Sequence, residues 1–192
     1  IEGLGMKGTL VKSITMTSMI DKIGEAHGLP VLSTPVGFKH LGPVMIEEDA
    51  VAAGEESGGY AFRGHIPERD GILSALMLLD MMVKTGKNPG ELIIALEEKV
   101  GPHFYDRLDL EYPTDQRKHI MEKVESEAPS HLANIPVAEV DARDGFRYVL
   151  QDGSWALIRL SGTEPVLRIY AEAASPRIVA LLIEECKKIT GF

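Results

Sequence analysis

Cysteine is nearly absent from this sequence: Cys186 is the only one in 192 residues. A single thiol excludes an internal disulfide and any cysteine-built zinc cluster, and it fits a reducing cytoplasm. Positive charge is in deficit, with 20 Lys and Arg against 29 Asp and Glu and a formal net charge of −9. A nucleic-acid partner is therefore not expected, because a phosphate backbone rewards Lys and Arg. Any small anionic ligand must be held by a local concentration of positive charge. Long apolar runs are missing too. The longest, Ile72 to Val83, is interrupted by Ser74 and Asp80 and is too short to span a bilayer, so no membrane partner is expected. The start, Ile1-Glu2-Gly3-Leu4-Gly5, has no basic segment followed by an apolar one and does not read as a signal peptide. It also has no methionine at position 1, and the expectation is a chain cut from something longer. Internal repeats and low-complexity tracts are absent.

What remains is an ordinary globular composition. At 44% hydrophobic residues the chain can bury one core of fair size or two small ones. Its halves follow different patterns. In the first, Thr9 to Ile14 reads as a strand and Ser18 to His27 as a helix. That helix has Met19, Ile20 and Ile23 on one face and Gly28 as its stop. Pro30 to Ser33 is a second short strand, and helical signal returns around Val44 to Ala50. Ile72 to Val83, apolar almost all round, predicts a buried central helix, and another helix follows over Glu91 to Val100. This alternation predicts an α/β domain, a mixed and mostly parallel sheet layered with helices, over residues 1–105.

The second half predicts a smaller α+β domain with an antiparallel sheet over residues 114–192. Thr114 is a candidate cap for a helix reaching Ser126, with Ile120, Met121 and Val124 inward. Phe146 to Gln151 and Ser154 to Leu160 are extended runs joined by Asp152-Gly153, a tight-turn dipeptide. Val166 to Glu172 is a third strand. Ser175-Pro176 opens a last helix whose stripe is Ile178, Leu181, Leu182, Cys186 and Ile189. The boundary is expected within Gly101 to Pro113, which is rich in polar and turn residues.

Two loops carry chemistry. Arg159-Leu160-Ser161-Gly162-Thr163-Glu164-Pro165-Val166-Leu167-Arg168 lies between two predicted strands. Arg159 and Arg168 supply charged forks, Ser161 and Thr163 hydroxyl donors, and Gly162 a close backbone approach, which together suit a phosphate. The alternative is a polar hairpin tip with two surface arginines. Against it, both arginines sit in apolar strands, a costly placement unless the charges meet a partner. Gly54-Glu55-Glu56-Ser57-Gly58-Gly59 offers two carboxylates and a hydroxyl to a sugar's neighbouring hydroxyls, or is a solvated acidic turn. Adjacent Glu55 and Glu56 should point different ways, which argues against a two-carboxylate glycosidase.

The run Arg-Leu-Ser-Gly-Thr-Glu-Pro followed by Arg-Ile-Tyr resembles the phosphate-binding loop in the last domain of the α-D-phosphohexomutases, the phosphoglucomutase/phosphomannomutase family. The resemblance implies that Arg159, Ser161, Gly162, Thr163 and Arg168 contact the substrate's non-reacting phosphate. The segment from Gly54 to Gly59 resembles that family's sugar-binding motif, giving Glu55 and Ser57 the hexose hydroxyls and Glu56 a weaker share. Thr34-Pro35-Val36-Gly37-Phe38-Lys39 is similar to a Thr-Pro-x-Gly-aromatic-Lys loop and adds Thr34, Gly37 and Lys39 as substrate-binding residues. Gly64-His65-Ile66-Pro67-Glu68-Arg69-Asp70-Gly71 looks like the segment that brings a basic residue toward the reacting phosphate. Arg69 takes that place as an assisting group, although a guanidinium stays charged and is poorly suited to moving protons. His40 and His65 are weaker candidates.

The family's serine loop, Thr-Ala-Ser-His-Asn-Pro-like, and its Mg²⁺ loop, Asp-Gly-Asp-x-Asp-Arg-like, do not occur in this sequence. The resemblance therefore implies domains 3 and 4, the former short of its first elements, with no catalytic serine and no metal site in this chain. For the parent enzyme it implies Mg²⁺, a hexose 1,6-bisphosphate intermediate and activator, and domains 1 and 2 as partners of these residues. Glucose phosphate is favoured as substrate, with mannose as an alternative. Amino-sugar relatives tend to carry Gly-Glu-Gln-Ser-Gly-His where this chain has Gly-Glu-Glu-Ser-Gly-Gly. A phosphoglucosamine mutase and a non-catalytic sugar-phosphate module are the remaining alternatives.

Overall fold

The computed structural model describes all 192 residues and divides them into two units, Ile1–Gly101 and Pro102–Phe192. In the first unit the elements are β1 (Leu10–Ser13), α1 (Met19–His27), β2 (Val31–Thr34), α2 (Phe38–Glu47), β3 (Ala52–Gly54), β4 (Tyr60–Phe62), α3 (Gly71–Thr85) and α4 (Pro89–Val100). The sheet order is β2-β1-β3-β4, with β1 parallel to both neighbours and β4 antiparallel to β3. Helix α1 ends at Gly28, whose left-handed φ of 64° a glycine adopts without strain. Asp70 caps α3 by accepting from the Leu73 amide at 2.9 Å, and Asn88 with Glu91 forms a reciprocal capping box on α4. Helix α2 packs on β1 and β3, and Val11, Phe38, Leu41, Met45, Ala50, Ala53 and Ala61 form the core there. Because β1, β2 and β3 are parallel, the loops that follow them open on one edge, the carboxyl edge where open α/β sheets bind ligands.

The second unit contains β5 (Phe104–Glu111), a short 3₁₀ turn (Thr114–Gln116), α5 (Arg117–Glu127), β6 (His131–Leu132), β7 (Ile135–Asp141), β8 (Phe146–Leu150), β9 (Trp155–Leu160), β10 (Val166–Ala173) and α6 (Pro176–Thr190). Its six-stranded sheet, β5-β10-β9-β8-β7-β6, is antiparallel throughout. Side chains alternate along the strands as a pleat requires: Tyr148, Leu150, Ala156, Ile158, Leu160, Leu167 and Ile169 face the core shared with Ile120, Val124, Leu182 and Cys186. The register then sends Arg147, Trp155, Leu157, Arg159, Arg168 and Tyr170 to the opposite face.

The two-part architecture expected from the sequence is present, with four local corrections. The stretch expected to hold the boundary, Gly101 to Pro113, is mostly β5, which completes the sheet beside β10. Its alternating Leu108 and Leu110 pack against the core, a pattern masked by the charges between them. The helix at 72–83 exists but is not buried: Ile72 and Val83 are 79% and 82% exposed, and no α3 residue is buried. Apolar residues all round a helix imply burial only where something packs on every side, and within this chain α3 packs chiefly on β4. An apolar cavity of about 230 Å³ lies over the sheet instead, lined by Leu10, Met16, Ile20, Ala52, Tyr60 and Leu96 among others. On α6, Leu181 faces outward and the stripe uses Val179 and Ile183. Thr114 opens a 3₁₀ turn and makes no side-chain cap; α5 starts three residues later.

Candidate functional site

Each unit carries one cluster. On the first, the segments after β2, β3 and β4 bring three of the sequence-derived motifs together. Glu55 follows β3 and is buried, at 3% exposure. Its Oε1 accepts the Gly37 amide at 2.7 Å, tying the sugar-motif loop to the loop after β2. Gly37 stands at φ 113°, a backbone conformation that favours glycine. The Glu55 Oε2 lies 3.9 Å from Arg69 Nη1, while Glu56 turns away and accepts from the Thr15 hydroxyl at 2.8 Å. The loop closes on itself, with Glu55 N donating to Gly59 O and Gly58 N to Glu55 O, both at 3.0 Å. Ser57 stands exposed at its tip. Thr34 is buried with its hydroxyl on the Pro35 carbonyl at 2.9 Å, and Lys39 is exposed on α2.

Arg69 reaches this cluster across Gly59. A Cβ at Gly59 would meet the Arg69 Cδ at 2.4 Å, so a larger residue there would force that stem to shift. The guanidinium stacks over Phe38, 5.6 Å from the ring centre, and its Nε lies 3.1 Å from Glu68. His65 is committed elsewhere, 2.8 Å from Asp70. The Leu73 amide and then the His65 ring hold the Asp70 carboxyl below its ordinary range. His40 lies in the first turn of α2. Sequence reasoning missed Lys12. It lies on β1 beside Gly54, is 1% exposed, and places its ammonium on the Thr17 carbonyl at 3.2 Å and on Asp21. A charged residue inside an apolar strand was the signal available, since a buried ammonium persists only with partners.

On the second unit, β9 and β10 pair Arg159 directly opposite Arg168. Both side chains therefore leave the same face of the sheet, next to the turn of residues 161–165. Like charges in that position repel, and carboxylates relieve them. Asp144 lies 2.9 Å from Arg159 Nε; Glu164 lies 3.2 Å from Arg168 Nη2 and Asp109 3.5 Å from its Nε. The Arg168 Nε is buried and carries no hydrogen bond of normal geometry. Within the turn, Thr163 N and its hydroxyl approach Ser161 Oγ only at 3.4 and 3.5 Å, contacts too long to commit those donors. A Cβ at Gly162 would meet nothing within 4 Å, so the protein itself does not require glycine there. The arrangement gathers two guanidinium groups, the exposed Thr163 hydroxyl, the buried Ser161 hydroxyl and the exposed residues 162–164 around one turn, a donor set for an oxyanion.

No three His, Cys, Asp or Glu side chains of this chain are placed to hold a metal ion. No helix is long and apolar enough to cross a membrane.

Comparison with known proteins gives the same two-part division. Residues 2–100 match the family described as phosphoglucomutase/phosphomannomutase, alpha/beta/alpha domain III, and residues 120–189 match its C-terminal domain. A phosphoglucomutase/phosphomannomutase of Thermococcus kodakarensis is 33% identical over 88% of this chain and 34% of its own length. A phosphoglucosamine/phosphogalactosamine mutase of Sulfurisphaera tokodaii is 29% identical over 94% of this chain and 38% of its own. A crystal structure of a protein from Thermus thermophilus, described as a phosphomannomutase, superposes with a TM-score of 0.80 at 35% identity; it covers 100% of this chain and 38% of that one. The chain thus spans little more than a third of the length of these relatives.

Proposed function

The chain belongs to the phosphoglucomutase/phosphomannomutase family, and on that premise we propose that it binds a hexose phosphate as part of a mutase. The turn at 161–165, with Arg159 and Arg168, takes the phosphate that does not react, through Ser161, Gly162 and Thr163. Glu55 and Ser57 take sugar hydroxyls, with Thr34, Gly37 and Lys39 shaping the adjoining loop and Arg69 assisting as a fixed cation. The observation that carries this reading is the cross-strand pairing of Arg159 with Arg168 beside a turn whose hydroxyls are uncommitted. Such a pair repels in isolation and gains from an anion that both guanidinium groups share.

For the whole polypeptide the proposed reaction interconverts hexose 1-phosphate and hexose 6-phosphate. A phosphoserine passes its phosphoryl group to the free hydroxyl of the monophosphate, giving a hexose 1,6-bisphosphate, and the opposite phosphate returns to the serine. The serine and the Mg²⁺ ligands belong to domains 1 and 2. The residues of this chain do not form a seat for Mg²⁺, and their contribution is to bind and orient. Glucose is the favoured sugar, ahead of mannose. The similarity to a phosphoglucosamine/phosphogalactosamine mutase supports amino sugars as the second reading.

Titrating the ¹⁵N-labelled chain with glucose 6-phosphate tests the binding. The amides of residues 161–163 and 55–59 are expected to shift, and Arg168→Met to weaken affinity about tenfold or more, the contribution of a charge-assisted hydrogen bond. Amides indifferent to millimolar ligand would sink the reading. Coupled assays on the full-length gene product with glucose, mannose and glucosamine phosphates decide the sugar. The 192-residue chain alone is expected to show no turnover, and measurable mutase activity from it, free of contaminants, would contradict that.

A further inference from the structure

We propose that Arg117 is a positioning residue for the phosphate-binding turn. This rests on the reading of residues 161–165 given above and adds to it the element that holds the turn in place. The turn has little internal support. Its two feet are joined by Ser161 N donating to Val166 O at 2.8 Å, and Val166 N donates to Glu164 O at 2.8 Å. Between them Gly162, Thr163 and Glu164 are exposed, and besides the long contacts to Ser161 Oγ the side-chain bond there is from Arg168 Nη2 to the Glu164 carboxylate at 3.2 Å, within the same hairpin. A turn this loosely bonded cannot by itself aim amides and hydroxyls at one anion, and binding would then carry the cost of ordering it.

External support comes from one segment, the connection between β5 and α5. Tyr112 N donates to the Pro165 carbonyl at 3.1 Å, at the second foot. Arg117 Nη1 donates to the Ser161 carbonyl at 2.8 Å, at the first foot, and to the Tyr112 hydroxyl at 3.0 Å. Tyr112 is 5% exposed and belongs to the core, so it anchors the guanidinium to a rigid body. Both feet are thus gripped by residues 112–117, and Arg117 is the side chain that joins the grip to the core. Arg117 starts α5, where a cation meets the positive end of the helix dipole. That placement is unfavourable for the helix and is explained by the bond to the turn. The planar fork reaches two acceptors from one nitrogen while remaining charged; a lysine can reach the carbonyl but holds the tyrosine less well.

The test uses the whole 192-residue chain and three variants, Arg117→Met, Arg117→Lys and Tyr112→Phe. Amide hydrogen exchange without ligand reads the positioning directly. In Arg117→Met, exchange at the hydrogen-bonded amides that pin the feet of the turn, Ser161, Val166 and Tyr112, is expected to rise about tenfold or more, the loss of one charge-assisted bond, while amides in the centre of α5 and β9 keep their wild-type rates. Arg117→Lys should lie between, and Tyr112→Phe should show the smaller rise of a guanidinium that has lost its anchor. Titration with glucose 6-phosphate is expected to give about tenfold weaker binding in Arg117→Met, with the shifts of residues 55–59 unchanged in size at saturation. Unaltered exchange in the turn of a folded Arg117→Met protein overturns the proposal. Faster exchange in the turn together with a wild-type turn that ignores ligand overturns the phosphate reading and leaves the brace standing.

Discussion

Replacing Asp144 by asparagine should make the protein less stable and yet a better phosphate binder. Asp144 Oδ2 lies 2.9 Å from Arg159 Nε, and the two side chains are 23% and 12% exposed. Gross attraction at that range is about 6 kcal/mol at an effective dielectric of 20. Partial solvation and the desolvation already spent reduce the net contribution to about 1 kcal/mol. Asparagine keeps an acceptor oxygen and the side-chain volume but removes the charge. The opposed Arg159–Arg168 pair then loses one of its counterions, so the native state falls by about 1 kcal/mol. The same loss frees Arg159 for an incoming anion, and phosphate affinity should rise by a similar amount, a factor of about five.

The measurements are urea unfolding for stability and titration with inorganic phosphate and glucose 6-phosphate for affinity. Both effects should shrink as salt rises toward 1 M, where the Debye length falls to about 3 Å. The opposite signs are the diagnostic. A variant that binds phosphate more weakly would refute the reasoning, because Asp144 would then be aiming Arg159 rather than competing for it.

Four further outcomes follow from burial. Leu41→Ala, at a fully buried core position, should cost about 3 kcal/mol, whereas Leu76→Ala on the open face of α3, 56% exposed, should cost below about 1 kcal/mol; equal costs in dilute urea melts would mean α3 is covered in solution. Glu55→Ala leaves the Gly37 amide without its carboxylate and should lose about 2 kcal/mol together with the ligand response of the 55–59 loop, while Glu55→Gln, which keeps an acceptor, should retain most of the stability. Burial pushes the Cys186 thiol up to about 12 and the Tyr148 hydroxyl likewise to about 12. Both groups therefore stay protonated in the fold while the unfolded chain releases its protons from about pH 9 for the thiol and about 10 for the phenol, so stability should fall as pH rises from about 9 to about 12. Native Cys186 should resist alkylation at about pH 8, below the range where even a free thiol is mostly ionised; modification without unfolding would contradict its burial.

The parts of the fold that were legible in the sequence are those whose signals are local. Ser175-Pro176 and Gly28 mark helix ends because a capping hydroxyl, a fixed φ and a left-handed glycine act within one turn. Asp152-Gly153 marks the β8–β9 hairpin for the same reason. Strand β5 was not legible. Its outward residues are charged, and its membership in the sheet depends on β10, which lies more than fifty residues later. The exposure of α3 was equally out of reach, because periodicity reports what a helix is able to bury and not what is there to cover it.

The same distinction runs through the two clusters. The residues proposed to face a ligand, Arg159, Ser161, Thr163 and Arg168, sit in one contiguous run whose chemistry suits a phosphate and whose resemblance to a family loop singled it out. Those that set their geometry are scattered: Asp144 fifteen residues before Arg159, Arg117 forty-four before Ser161, and Gly37 eighteen before Glu55. Nothing in the composition of a brace distinguishes it from any surface arginine, because its role is defined by the carbonyl it meets. Lys12 is the intermediate case. Its apolar strand announces a burial problem, and only the fold shows Thr17 and Asp21 as the partners that solve it. Contacts are therefore read from sequence where they are made by chemistry in one segment, and from structure where two segments must meet.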